Sequence, residues 1–126
     1  MTKEQQQVKE FMLATQQECP SRPTKLSDPV RKLREALIEE EYHELKIALW
    51  KCNLVETADA IADLMYVIIG TAVSSGIDME SIFQEVHRSN MSKLKDGYVG
   101  ASGKFIKGPG YSPALLTPLI EAQKKG

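Results

Sequence analysis

Between Asp28 and Ser74 the chain carries two long stretches of helical periodicity separated only by Lys51-Cys52-Asn53. A linker that short makes the second helix an antiparallel neighbour of the first. Each stretch holds an acidic cluster: Glu39-Glu40-Glu41-Tyr42-His43-Glu44 in one, and Glu56-Thr57-Ala58-Asp59-Ala60-Ile61-Ala62-Asp63 in the other. With about 100° of turn per residue, Glu40 and Glu44 stack, with Glu41 at the edge of their stripe. Glu56, Asp59 and Asp63 share one face at i, i+3 and i+7. Stacked like charges weaken a helix by a few tenths of a kcal/mol per pair. A solvated outer face is the ordinary explanation for such residues. Here the second cluster runs straight into Leu64-Met65-Tyr66-Val67-Ile68-Ile69. That run is apolar nearly all round and predicts a buried helix. Acids at the margin of a core need partners, and a hard divalent ion such as Mg²⁺ is the simplest.

The flanking elements are also expected to be helical. Residues 3–17 read as an amphipathic helix ended by Cys19-Pro20-Ser21-Arg22-Pro23. Asp28-Pro29 is an N-cap followed by an N1 proline, and it opens a helix to about residue 51. Asn53 with Glu56 fits a capping box for a helix over 54–74, so Glu56 has a capping role open to it as well as a ligand role. Gly76 suits the left-handed residue after that helix. Asp78 caps a fourth helix over 79–95, and Leu115 to Gln123 forms a short fifth. No segment alternates as a strand. The expected fold is all-α: an antiparallel bundle of four to five helices in one domain over 1–126, with its core at about 28–96 and a Gly/Lys-rich tail over 97–126.

Charge and cysteine content narrow the function. The net charge of −1 gives no broad basic field for nucleic acid. Cys19 and Cys52 are isolated, as expected of free thiols in the cytoplasm. The longest apolar run, Leu64 to Val73, is about half the length of a membrane span. No Walker A loop, GxSxG, GxGxxG or HExxH occurs. Glu40-x-x-His43 is a lone ExxH, and a di-iron bundle needs a second one. Arg88, Asn90, Lys93, Lys104 and Lys107 follow the acidic helices among glycines and prolines. Cations of that kind bind phosphate. Carboxylates for a metal and lysines for phosphate together suggest a nucleoside triphosphate.

Glu40-Glu41-x-x-Glu44, the helix end Ile61-Ala62-Asp63-Leu64-Met65-Tyr66-Val67, and the stretches Glu85 to Lys93 and Gly103 to Pro113 resemble the all-α nucleotide pyrophosphohydrolase superfamily. Within it they look most like a MazG-like branch akin to phosphoribosyl-ATP pyrophosphohydrolases. The resemblance covers roughly residues 28–115. It implies a helical bundle that dimerises and holds Mg²⁺, with Mn²⁺ as an alternative; the nearly all-apolar third helix leaves a tetramer equally open. The implied reaction is hydrolysis of a nucleoside triphosphate at the α-phosphorus to the monophosphate and pyrophosphate. By position, Glu41 and Glu44 would be metal ligands, and Glu40 a ligand or the base that activates water. Asp63 matches the aspartate of the ExxD motif. Asn90 and Lys93 would meet the substrate, while Lys104, Lys107 and Tyr111 would close over its phosphates. Where ExxD needs a glutamate this chain has Ala60, and Glu56-x-x-Asp59 repeats the spacing one turn earlier. Asp59 with Asp63 is the expected pair, and Glu56 is the further candidate. The other reading is a catalytically silent helical dimer that binds nucleotide as a sensor or scaffold.

Overall fold

A computed structural model describes residues 1–126. It contains five helices, α1 (Lys3–Ala14), α2 (Asp28–Lys51), α3 (Leu54–Ser74), α4 (Met79–Met91) and α5 (Thr117–Lys125), with one small hairpin of β1 (Tyr98–Val99) and β2 (Phe105–Ile106). The fold class is all-α, as expected. The chain forms two compact units, Met1–Ile77 and Asp78–Gly126.

In the first unit α2 and α1 each pack on α3. The α1 contact is built from Val8, Met12 and Val73, with Cys19 and Ile69 against them. Phe11 meets Tyr66 edge-on, with ring centroids 5.8 Å apart. Helix α1 stops at Ala14, short of the predicted residue 17. Thr15 Oγ1 donates to the carbonyls of Phe11 and Met12, and Gln16 turns left-handed at φ 64°. A hydroxyl that takes backbone acceptors competes with helix continuation. Helix α2 is capped by Ser27 rather than Asp28: the Ser27 hydroxyl accepts from the Val30 amide, and Asp28 and Pro29 lie in the first turn. The α2–α3 turn is as short as predicted, with Cys52 left-handed and Asn53 Oδ1 accepting from the Glu56 amide at 3.0 Å. Gly76, at φ 65°, lies against the Arg22 carbonyl, where a Cβ would collide. Both cysteines are free.

The predicted burial of α3 is not what the structure shows. Only Ala60, Gly70, Val73 and Ser74 of this helix are buried, while Met65 and Ile68 are half exposed. Near the α2–α3 turn Trp50, Leu54 and Val55 are 86%, 85% and 80% exposed. Within this unit α1 and α2 cover only part of the surface of α3. On length and composition alone α3 qualifies to cross a membrane. The carboxylates of Glu56, Asp59 and Asp63 would be costly in hydrocarbon, so they favour a helix packed against protein.

In the second unit α4 begins at its Asp78 cap, as predicted. It ends at Met91, because Ser92 turns the chain: its hydroxyl donates to the Ser89 carbonyl at 2.6 Å and accepts from the Ser112 amide at 2.8 Å. Glu85 forms a two-pronged pair with Arg88 and also accepts from the Leu115 amide at 2.8 Å. Gln123 on α5 exchanges hydrogen bonds with the Asp78 backbone. The hairpin pairs Tyr98 with Ile106 and Val99 with Phe105. It was not expected, since two-residue strands are too short to show alternation.

Candidate functional site

Helix pairing decides which acids meet. About the Cys52–Asn53 turn, antiparallel helices of equal rise place residues level when their numbers sum to 105. Asp63 is then level with Tyr42, between Glu41 and Glu44. Asp59 is level with Lys46, and Glu56 with Leu49. The structure agrees. One carboxylate oxygen from each of Glu41, Glu44 and Asp63 lies within 4.8 Å of the others. Glu41 and Asp63 are partly buried and Glu44 is exposed.

Glu41 is the most perturbed member. Its Oε2 is buried and has no hydrogen-bond partner. Burial raises its pKa above the usual carboxylate value, and the neighbouring Glu44, Asp63 and Glu40 raise it further. Burial disfavours the charged form of a carboxyl and nearby anions add to the effect. A cation among the three would relieve both. The donors are all hard oxygens, which suit Mg²⁺, Mn²⁺ or Ca²⁺ rather than a soft metal. The trio is therefore a fit site for a divalent metal.

The other expected residues fall around it. Glu40 is exposed on a shallow cavity with Ala36, Glu39, Tyr42 and His43, close enough to act on the charge of Glu41. Asp59 and Glu56 stand outside the trio, on the wall of a cavity of about 250 Å³ shared with Glu44, Ile47 and Ala60. Glu56 is also 3.9 Å from Lys51 Nζ, and its amide is held by Asn53. Ala60 is buried.

Within the second unit, the ammonium groups of Lys107 and Lys93 lie 4.4 and 5.7 Å from the centre of the Tyr111 ring. The Lys93 carbonyl accepts from the Gly108 amide at 2.9 Å, which ties the end of α4 to the glycine-rich segment. Asn90 and Lys104 are exposed. Two ammonium groups on one ring make a compact cationic feature.

Sequence reasoning passed over Arg34, one of the few buried polar residues. Gly70 stands opposite it, where a Cβ would strike the guanidinium, and a lone glycine in an apolar helix does not by itself point to a buried arginine.

A family model described as phosphoribosyl-ATP pyrophosphohydrolase matches residues 8–90, a span that contains the carboxylate trio. No curated protein matches the chain by sequence.

Proposed function

The chain belongs to the phosphoribosyl-ATP pyrophosphohydrolase family, and from that premise we propose that it hydrolyses a nucleoside triphosphate at the α-phosphorus with the help of Mg²⁺. Pyrophosphohydrolase chemistry on a nucleotide-type substrate follows from the family. The triphosphate and the metal are the finer reading. The observation that carries it is the buried, unpartnered oxygen of Glu41 between Glu44 and Asp63.

In this reading Glu41, Glu44 and Asp63 hold the ion. When bound, such an ion lowers the pKa of water and neutralises charge on the departing pyrophosphate. Glu40, exposed beside the trio, takes the proton as the water oxygen attacks the α-phosphorus and the bond to the bridging oxygen breaks. Asp59 and Glu56 add negative charge one and two turns along α3, where a second ion or its waters would be held. Asn90, Lys93, Lys104, Lys107 and Tyr111 bind the substrate, the lysines taking its phosphates. In-line attack is chiefly a matter of position, so loss of one carboxylate costs orders of magnitude in rate.

The silent-sensor reading draws on Ala60, which stands where the motif has a glutamate. Three carboxylates already meet the need of Mg²⁺, which is usually held by one or two together with waters and substrate phosphates. The exposed Trp50, Leu54 and Val55 and the half-exposed face of α3 support a homodimer or homotetramer, because a lone chain seldom leaves so much apolar surface in water.

The test is pyrophosphate release from a panel of ribo- and deoxyribonucleoside triphosphates and phosphoribosyl-ATP with Mg²⁺, using Glu41→Gln as the control. Release by wild type alone is expected. Nucleotide binding without release from any substrate would leave the sensor reading standing in its place.

A further inference from the structure

Arg34 is a buried charge with no counter-charge. It is only 5% exposed. Its Nε donates to Thr71 Oγ1 at 3.1 Å and its Nη2 to the Val67 carbonyl at 2.6 Å. Both acceptors are neutral. Thr71 Oγ1 itself donates to the Val67 carbonyl, so the two acceptors sit together on the Nε–Nη2 edge. A guanidinium has five N–H donors. The Nη1–Nη2 edge, a planar fork suited to an oxyanion, is left without a protein acceptor. Buried charges are normally paired, because removing one from water is costly. Burial also pushes the Arg34 pKa below its usual value.

The surroundings show where a counter-charge would go. Arg34 forms part of the wall of a cavity of about 300 Å³ with Pro20, Lys25, Leu26, Val30 and Leu33. Lys25 adds a second positive charge. The first turn of α2, with Ser27 and Val30 on the same wall, contributes the positive end of the helix dipole. Glu18 is the one carboxylate on the wall, and it pairs with neither cation. Beside the aliphatic side chains the wall also carries the neutral polar Gln17, Thr24 and Ser74. None of these residues belongs to the carboxylate trio.

We propose that this cavity binds a small organic oxyanion, a carboxylate or a phosphate monoester, with its charged head on the free fork of Arg34 and its apolar body against Leu26, Val30 and Leu33. The site is separate from the proposed catalytic centre and does not depend on that reading. Because Arg34 joins α2 to α3 at Val67 and Thr71, one and two turns beyond Asp63 on α3, occupancy stiffens the helix pair that carries the trio.

The test uses the full-length chain in EDTA, so that no metal-bound anion contributes. Benzoate, phenyl phosphate and inorganic phosphate are titrated by calorimetry and by the side-chain ¹⁵N–¹H resonance of Arg34 Nε, assigned with Arg34→Lys. The expected result is saturable binding of benzoate or phenyl phosphate that shifts the Arg34 resonance, whichever binds identifying the head group. Inorganic phosphate should bind about tenfold more weakly, since it lacks a body for the aliphatic wall. Leu33→Trp fills the cavity without touching the hydrogen bonds of Arg34 and should cut affinity by at least about tenfold. If no probe moves the Arg34 resonance, or if Leu33→Trp binds as well as wild type, the cavity is not an anion site and Arg34 is only a clip between helices.

Discussion

Glu41→Gln should make the metal-free protein more stable and the Mg²⁺-loaded protein less stable than wild type. The side chain keeps its size and loses its charge. In wild type the Glu41 carboxylate faces two others at no more than 4.8 Å. At that separation each pair repels by about 0.9 kcal/mol at the dielectric of water, so the two together come to about 2 kcal/mol. Glu44 is exposed, which makes the solvent value the appropriate one. At physiological salt a Debye length of about 8 Å roughly halves this to about 1 kcal/mol. For a chain of 126 residues about 1 kcal/mol moves the melting temperature by about 4 °C. The metal-free variant should therefore melt about 4 °C above wild type at physiological salt, and further above it at low salt.

Mg²⁺ reverses the order. At a hundred times its dissociation constant a ligand stabilises the folded chain by about 2.7 kcal/mol. That exceeds the relieved repulsion, so metal-loaded wild type should melt above the variant, which has lost one charged ligand. Differential scanning calorimetry of both proteins in EDTA and across a Mg²⁺ titration measures this crossover. A Glu41→Gln protein that melts below wild type in EDTA, or that gains as much from Mg²⁺ as wild type does, would refute a strained anionic trio that grips a cation.

Gly70→Ala places a methyl against the Arg34 guanidinium and should destabilise the first unit by about 1–3 kcal/mol, the usual cost of overpacking, as read by urea unfolding followed by the helical circular dichroism signal. Glu85 is held down to about 2 by its hydrogen bond with Arg88 and then by the Leu115 amide. A depressed carboxyl stabilises the fold above its unfolded pKa and loses that contribution as pH falls through the folded value. Protection of the Leu115 amide from hydrogen exchange should thus be full above about pH 4.5 and fade towards pH 2, and Glu85→Gln should abolish the dependence. Trp50→Glu with Val55→Asp puts charge on the most exposed apolar surface. Light scattering should show a smaller assembly than wild type, and an unchanged mass would show that this face is not the interface.

The lengths of α2 and α3 were legible because their ends are written in local chemistry: a proline in the first turn of α2, Asn53 before α3, and Gly76 after it. The acid cluster was legible in kind, yet its membership was not settled by periodicity. Helical spacing says which residues share a face of one helix. It is silent on which faces stand level across two. That level follows from the Cys52–Asn53 turn, and it selects Asp63 over Asp59 and Glu56 as the residue opposite Glu41 and Glu44. Two features lay beyond pattern reading for other reasons. Continuous apolar sequence in α3 signals burial only when partners exist to cover it, and α1 and α2 cover only part of its surface. Arginine is normally a surface residue, so nothing in the composition of α2 marks Arg34 as buried. Its burial depends on a glycine thirty-six positions away that leaves room for a flat guanidinium on the neighbouring helix. Both failures have one physical origin. Whether a side chain is covered is a property of the surface it meets, whereas caps, turns and charge spacing are properties of the segment that contains them.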